Sequence, residues 1–600
     1  MDRNQATGLI LISILLLLYF SYFGNQPQVP QNDQPASTET PVDSTASVAP
    51  TTLATPDSLV APNPVVDSLS VNTPAEELIT VENENMKITF SNLGGVVKEV
   101  LLKDYLTYRK EPLILLDANS SRMSLIANNN GNKVDLYKLP YRHTISQDGD
   151  TTIVSFTLDL GNGSRFSQVY KLPPAGYLLD YKINAEGMNH LLNSDLILDW
   201  RNNLKSFEKD PVTSRIKTSV NYYTLSDGFE ELGERSMDLE TAEASNVKWL
   251  AFKQQFFTTS LIARNKFNKL YATQEVKEEF PEVDKFTTAT LTLPADDIKL
   301  GKSDYTFYFG PNSYPLFRKI AKTIAPDFNK NIYLGWPPVN LVNKWVIIPI
   351  FNWLKNYIHN FGIIIIILVL IIKLALSPLS YKSYISMAKM KVLQPELKEL
   401  KEKYGDDMQQ FQQEQMKLYQ QVGVNPLSGC IPMLLQMPIL FAMFYFFPSS
   451  IELRQQPFLW ADDLSTYDSI MTLPFKIPMY GDHVSLFVLL MTASTILYTW
   501  SNNKVSTVEG PMKSVGYMMP LIFMFILNSF PAALSFYYFV SNIITFGQQA
   551  LIRKFVDEEK IKAVLEENRL RNKHKKKSKF QLRLEQAMKA KEEAQKKKKR

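Results

Sequence analysis

The chain holds one cysteine, Cys430, among 600 residues. That excludes intramolecular disulfides and thiolate metal clusters, so an extracytoplasmic domain must be stable without cross-links. It also leaves no cysteine after the N-terminal apolar run to carry lipid. Histidine is scarce, five in all; His143 and His190 stand isolated, which suits structural or surface roles. The motifs HExxH, GxSxG and GxxxxGKS/T do not occur. No constellation for catalysis, a metal or a cofactor is visible, so a non-enzymatic function is expected. The apolar runs beyond residue 360 carry no Asp or Glu in their cores, which speaks against proton-coupled pumps and aspartyl intramembrane proteases.

Absences also organise the N-terminal part. Thr7–Phe23 is apolar, and bulky Tyr19, Phe20, Tyr22 and Phe23 replace a small-residue cleavage site, so it reads as an uncleaved anchor. From Gly24 to Leu78 there is no aromatic residue, and Pro, Ser and Thr abound; such a segment cannot bury enough apolar surface to order itself and reads as a linker. Lys and Arg are missing from Gly24 through Met86, which puts the linker outside and the N-terminus in the cytoplasm.

What is present next is β-like. Lys87-Ile-Thr-Phe, Val96-Val-Lys-Glu-Val-Leu-Leu, Thr151-Thr-Ile-Val-Ser-Phe-Thr-Leu and Tyr305-Thr-Phe-Tyr-Phe alternate with turn signals at Asn92-Leu-Gly-Gly, Gln147-Asp-Gly-Asp, Gly161-Asn-Gly and Leu172-Pro-Pro-Ala-Gly. The pattern predicts a periplasmic antiparallel β-sandwich over 79–330. Trp249-Leu-Ala-Phe-Lys-Gln-Gln-Phe-Phe predicts a helix packed on it. Residues 339–356, with Pro349 mid-run and Trp345 and Trp353, predict an amphipathic helix on the membrane surface.

Phe361–Ser380 is long enough to span a bilayer, since about 20 apolar residues match its core. Lys373 sits inside that run, at a cost of roughly 2.5–3.5 kcal/mol on insertion scales. Residues 381–424 then place Leu393, Leu397, Leu400 and Tyr404, and after a break Met408, Phe411, Gln415, Leu418 and Val422, at helical spacing, predicting a cytoplasmic helical hairpin. Its Met387, Met390 and Met416 suit either adaptable contacts or core filling. Further spans are expected at 428–447, 484–500, 513–529 and 531–551, for six in all with both termini cytoplasmic. The loop 448–483 lies outside. The basic tail 552–600 can bind anionic lipid or nucleic-acid phosphate.

In the last span Ser535, Tyr538, Asn542, Thr545 and Gln549 recur at 3-4-3-4 spacing, a polar stripe on one face. Ser485, Thr492, Thr495 and Thr499 lie in the span from 484, and Gln436 adds an amide. With Lys373 these predict a wet cavity holding one positive charge. A secondary transporter with a periplasmic receptor domain would show internal repeats and a midplane coordinating site, and neither is visible. An envelope protein working through its β-domain is a third reading.

Four segments carry a resemblance: Met387-Ala-Lys-Met-Lys-Val-Leu-Gln-Pro, Asn425-Pro-Leu-Ser-Gly-Cys-Ile-Pro-Met-Leu-Leu-Gln-Met-Pro-Ile, Glu452-Leu-Arg-Gln-Gln-Pro-Phe and Phe530-Pro-Ala-Ala-Leu-Ser-Phe-Tyr-Tyr-Phe-Val-Ser-Asn. They resemble the YidC/Oxa1/Alb3 membrane protein insertases, and the β-region is similar to the periplasmic domain of Gram-negative members. The resemblance implies a polytopic inner-membrane protein with a five-helix core. That core forms a hydrophilic groove, open to the cytoplasm, that passes segments of nascent membrane proteins into lipid without nucleotide hydrolysis or a cofactor. It implies that Lys373, where the family typically has arginine, is the groove charge, and that Tyr537 and Tyr538 line the substrate path; Gln436, Asn542 and Thr545 complete the expected groove. Partners implied are the Sec translocon, the ribosome through the basic tail, and anionic lipids.

Overall fold

The computed structural model describes residues 75–572, apart from 130, 162, 189–191, 406, 425–430 and 504–510. The expected anchor 7–23, nearly all of the linker, His190 and the tail beyond 572 lie outside the described residues.

Turn chemistry and alternation build the β-region as expected. Leu78–Glu82, Met86–Ser91, Val96–Leu106 and Pro112–Leu116 form a four-stranded antiparallel sheet. The Asn92-Leu-Gly-Gly turn needs its glycines: Gly94 has φ +85°, and a Cβ there would lie 2.2 Å from the Tyr137 carbonyl oxygen. A thirteen-stranded sheet takes up the rest. Strand Leu196–Lys205 shows its pattern, with Leu196, Leu198 and Trp200 buried between the sheets and Ile197 and Arg201 outside. Met86, Ile88, Phe90 and Val100 of the small sheet share one apolar core with Phe156, Trp200, Phe252 and Phe307 of the large one. Two sheets closing on one core make the sandwich.

The segment Trp249–Phe257 is not a helix. It ends strand Glu240–Lys253, turns, and starts strand Phe257–Glu275. Its residues are apolar without alternation because both faces are buried, and a two-sided strand cannot be told from a buried helix by period. Leu250, Phe252 and Phe257 enter the sandwich core. Trp249 and Ala251 face a second core that continues into the helical half. There the Trp249 ring meets Phe328 at 5.2 Å, and Tyr308 meets Phe317 on α1 (Tyr314–Thr323) at 5.5 Å.

Residues 339–355 are helical throughout, with a wide turn at Asn343–Ile347 just before Pro349, ending in α2 (Ile348–Lys355). Val339, Asn343, Ile347, Phe351 and Leu354 are buried, whereas Leu341, Trp345 and Trp353 are exposed. An apolar, tryptophan-bearing outer face is what an interfacial helix presents to lipid headgroups.

Helix α3 (Phe361–Val392) runs without interruption for 32 residues, so the expected boundary at Ser380 is corrected. Pro378 removes one backbone donor but leaves the helix unbroken, and the Ser380 hydroxyl donates to the Leu376 carbonyl at 3.2 Å. The hairpin follows as α4 (Gln394–Tyr404) and α5 (Met408–Gln421). Then come α6 (Ile431–Phe446), α7 (Leu486–Asn503), α8 (Pro511–Leu527) and α9 (Ala532–Phe555). Among the described residues only α3 is both long and apolar enough to cross a membrane by itself. The expected spans α6 and α8 have 16 and 17 residues, and α7 and α9 carry polar seams that lower their hydropathy.

The first part of the tail is helical: α10 (Glu558–Asn572) docks on the hairpin. Ile561 and Leu565 are buried with Leu393, Leu397, Leu418, Tyr419 and Val422, and Met390 fills the same core. Arg569 holds the Glu396 carboxylate at 2.6 and 2.9 Å, and Lys391 donates to Glu558 at 2.8 Å. The exposed acids Glu558 and Glu559 suit the positive helix N-terminus.

The β-region is bolted to the helical half through Glu452-Leu-Arg-Gln-Gln-Pro-Phe. Arg454 Nε lies 3.0 Å from both oxygens of Glu208, and its guanidinium covers the Phe257 ring at 5.1 Å. Gln455 donates to the Thr107 carbonyl at 2.8 Å, and Gln255 donates to that of Pro448 at 3.3 Å. Burial pushes the Glu208 carboxyl up to about 7, outweighing the opposing pull of Arg454. Arg454→Ala should raise that carboxyl further, so that Glu208 takes up a proton near neutral pH; the loss of stability, about 1–3 kcal/mol for the buried hydrogen-bonding groups left unpaired, should grow as the pH rises. The double variant Arg454→Ala/Glu208→Ala should recover much of that loss, as thermal unfolding of the detergent-solubilised protein will measure.

Candidate functional site

Helix α9 organises the polar interior, and its sequence explains how it is set in place. Pro531 precedes its first turn, and the Ala532 and Ala533 N–H groups donate to the Thr466 and Leu464 carbonyls at 2.7 and 3.1 Å. Arg553 and Lys554 in the last turn suit the negative end of the helix dipole. Between these ends α9 packs against α3 on one side and α7 on the other.

The single polar stripe expected on α9 is in fact two seams. Ser541, Thr545 and Gln548 face α3. Lys373 Nζ donates to Thr545 Oγ1 at 2.9 Å, whose own hydroxyl donates to the Ser541 carbonyl at 2.7 Å, and Gln548 Nε2 donates to the Lys373 carbonyl at 3.0 Å. Asn542 and Gln549 face α7. Asn542 Nδ2 donates to Ser494 Oγ and Thr495 Oγ1, each at 2.9 Å, and Gln549 Nε2 donates to Asn502 Oδ1 at 3.2 Å. Thr492, Thr495 and Thr499 turn their hydroxyls back to carbonyls four residues earlier, the usual way a helix satisfies them.

Lys373 is only 6% exposed. No carboxylate among the described residues pairs with it, and one neutral hydroxyl accepts from an ammonium that has three donors. Gln549 Oε1, one turn on from Thr545, is also buried without a partner, as is Ser535 Oγ, which lies ~15 Å back along α9 beside Phe536. The site thus has a cation and spare hydrogen-bonding groups, but no acid.

The end of the bundle that bears the 447–484 loop is the opposite. Asp468 caps α7, accepting from the Leu486 and Phe487 N–H groups at 2.9 and 3.1 Å, from Trp460 Nε1 at 2.8 Å and from the Ser485 hydroxyl. Asn528 Nδ2 donates to the Tyr480 and His483 carbonyls at 2.9 and 2.8 Å. Below this network lies an aromatic layer, with Phe458 and Phe487 at 5.0 and 5.2 Å from the Phe536 ring. Gly362 permits it: a Cβ there would lie 2.1 Å from the Phe458 ring.

Of the expected site residues, Lys373 and Thr545 touch, and Asn542 lies one turn away on the neighbouring seam. Tyr537 is buried against Phe447 at 5.9 Å and Tyr538 at 5.8 Å, ~12 Å along α9 from Thr545 at 1.5 Å per residue. Half-buried Gln436 on α6 makes no hydrogen bond to the cluster. Ser485 belongs to the Asp468 cap, not to the polar interior, because it precedes α7. Gln548, Ser494 and Asn502 were missed. The 4-3 spacing of Ser541, Thr545 and Gln548 could have disclosed the first of them.

Comparison with known proteins covers the whole described chain. Residues 353–560 match the family model described as 60Kd inner membrane protein, and residues 78–353 match that of the YidC periplasmic domain. The chain is 46% identical over 617 aligned residues to a membrane protein insertase YidC of Cytophaga hutchinsonii, covering 99% of this chain and 98% of that protein. It is 44% identical to one of Amoebophilus asiaticus, covering 98% and 99%. A crystal structure of an active YidC insertase with the first transmembrane domain resolved aligns at 19% identity and TM-score 0.32, over 79% of this chain and 92% of that one. A galactose mutarotase-like protein from Lactobacillus casei aligns at 12% identity and TM-score 0.27, over 39% of this chain and 100% of that one. At these scores neither superposition adds to the fold described above.

Thr545→Val should strip Lys373 of its acceptor at a cost of about 1–3 kcal/mol. In a Lys373→Met background the same change should cost nearly nothing, and a double-mutant cycle of thermal unfolding measures the difference.

Proposed function

The chain belongs to the YidC family of membrane protein insertases, and from that premise we propose how its residues do the work. The β-region is periplasmic, α3 and α6 to α9 are the five core spans, and an N-terminal anchor makes six. The hairpin, α10 and both termini are cytoplasmic. The seams of α9, with Lys373 between α3 and α9, form the floor of a groove open toward the cytoplasm, and the Asp468–Asn528 network with the aromatic layer closes its periplasmic end.

The observation that carries this reading is a buried ammonium bonded to one hydroxyl and matched by no carboxylate among the described residues. Partition of an apolar segment into lipid is downhill at ~25 cal/mol per Å² buried. The slow part is moving its polar flank through hydrocarbon, where each unsatisfied group costs several kcal/mol. A groove offering Lys373, Thr545, Asn542 and the free capacity of Gln549 shortens that dry path and attracts acidic flanks. No nucleotide hydrolysis is needed. Tyr537 and Tyr538 guide the apolar part of the substrate, and Gln436 serves the mouth of the groove on α6. By its family, the Sec translocon is a cooperating partner.

The basic residues after α10 bind ribosomes or anionic lipid. Since α10 belongs to the hairpin core, the cut that isolates this role falls after Asn572.

Lys373→Arg should retain insertion of a small single-span substrate with acidic flanks into liposomes. Lys373→Glu should impair it most, and equal insertion by all variants would sink the charge-attraction mechanism. Truncation after Asn572 should weaken salt-dependent ribosome binding while leaving thermal stability unchanged. Truncation after Val556 should also destabilise the hairpin, seen as faster proteolysis between 394 and 421.

A further inference from the structure

The 447–484 loop carries an antiparallel hairpin, Met471–Ile477 paired with Gly481–Val484, that the insertase mechanism does not use. Its base is fixed: the Ile470 N–H donates to the Val484 carbonyl at 3.0 Å, and buried His483 is 2.9 Å from the Asn528 carbonyl oxygen. Its tip is apolar and uncovered, with Phe475 63% and Met479 73% exposed. The tip is also strained. Tyr480 N–H closes the turn on the Ile477 carbonyl at 3.1 Å, and Met479, after Pro478, takes φ +64°, where glycine or asparagine is the usual residue. A bulky apolar side chain is kept at a position that disfavours it.

Tyr480 shows what covers this tip. Its ring packs on Phe525 of α8 at 5.4 Å, and Phe525 continues into the exposed apolar face formed by Met518, Leu521 and Ile522. On the reading of α8 as a span, that face is covered by acyl chains, and the hairpin lies against its end. We propose that the 471–484 hairpin is a lipid-inserting wedge: Phe475 and Met479 enter the outer leaflet beside α8, and Lys476 lies at the level of the headgroup phosphates. The inference rests on the span reading of α8 and is tested together with it.

An environment-sensitive fluorophore is attached to Phe475→Cys, Met479→Cys, Asp482→Cys or Ile522→Cys, each in a full-length Cys430→Ser chain. The proteins are reconstituted in phosphatidylethanolamine–phosphatidylglycerol vesicles. The labels at 475 and 479 should emit to the blue of the label at 482, and lipids brominated near the headgroup should quench them more than lipids brominated near the chain ends. The label at 522 should show the reverse depth preference. Water-like, unquenched emission at 475 and 479 with quenching retained at 522 would overturn the wedge and leave the span. Loss of quenching at 522 as well would overturn both.

Discussion

Hydrogen bonding in a place without water is the constraint on which this molecule is built. Inside a bilayer every polar group needs a partner from the protein itself, and α9 supplies most of them. At the loop end the requirement is met: Asp468 takes up the free N–H groups of α7, and Asn528 donates to the carbonyls of the crossing chain. About four turns farther along α9 it is not met, since Lys373 and Gln549 keep capacity that no described neighbour uses. A membrane protein optimised for stability alone would have replaced these groups with leucine. Their retention on one side of a sealed aromatic layer gives the bundle a direction.

The sequence disclosed this arrangement unevenly, for physical reasons. Lys373 and the polar positions of α9 stood out because a charge or amide in an apolar run is costly wherever it points. The division into two seams did not, because residues 541, 545 and 548 and residues 542 and 549 occupy adjoining strips of one helix. Which strip meets α3 and which meets α7 depends on tertiary packing. The sandwich was legible from turns and alternation, except at Trp249–Phe257, where burial on both faces erased the alternation. The start of the tail was legible as helix-prone, but the docking of α10 was not, because the charges of Arg569 and Glu558 give no sign of the partners they pair with. Ser485 looked like a groove residue from its apolar neighbours and proved to be part of a helix cap.

Two kinds of electrostatic contact hold the pieces together, and they differ in strength. The α10 pairs are partly exposed, and such pairs contribute little singly, so the buried Ile561 and Leu565 carry the docking and the ions set its register. The Arg454–Glu208 pair is buried, and its worth lies in how costly it is to break on one side only. That pair reinforces the shared apolar core between the β-region and the helical half, and it sits in a loop whose sequence is also among the most recognisable in the chain.

That buried pair also imposes an order of assembly in time. Its partners are 246 residues apart, and at translation rates of ~5–20 residues per second, 246 residues take roughly 12–50 s. In the later part of that interval, once the strand ending at Pro311 is made, the β-sandwich has all of its own strands, while Glu208 still lacks its partner. Only when α6 has formed and the chain beyond it has emerged does Arg454 arrive to pair with it. Closure of the loop is therefore a late event in biogenesis, and the carboxylate on the waiting domain is the mark it closes upon.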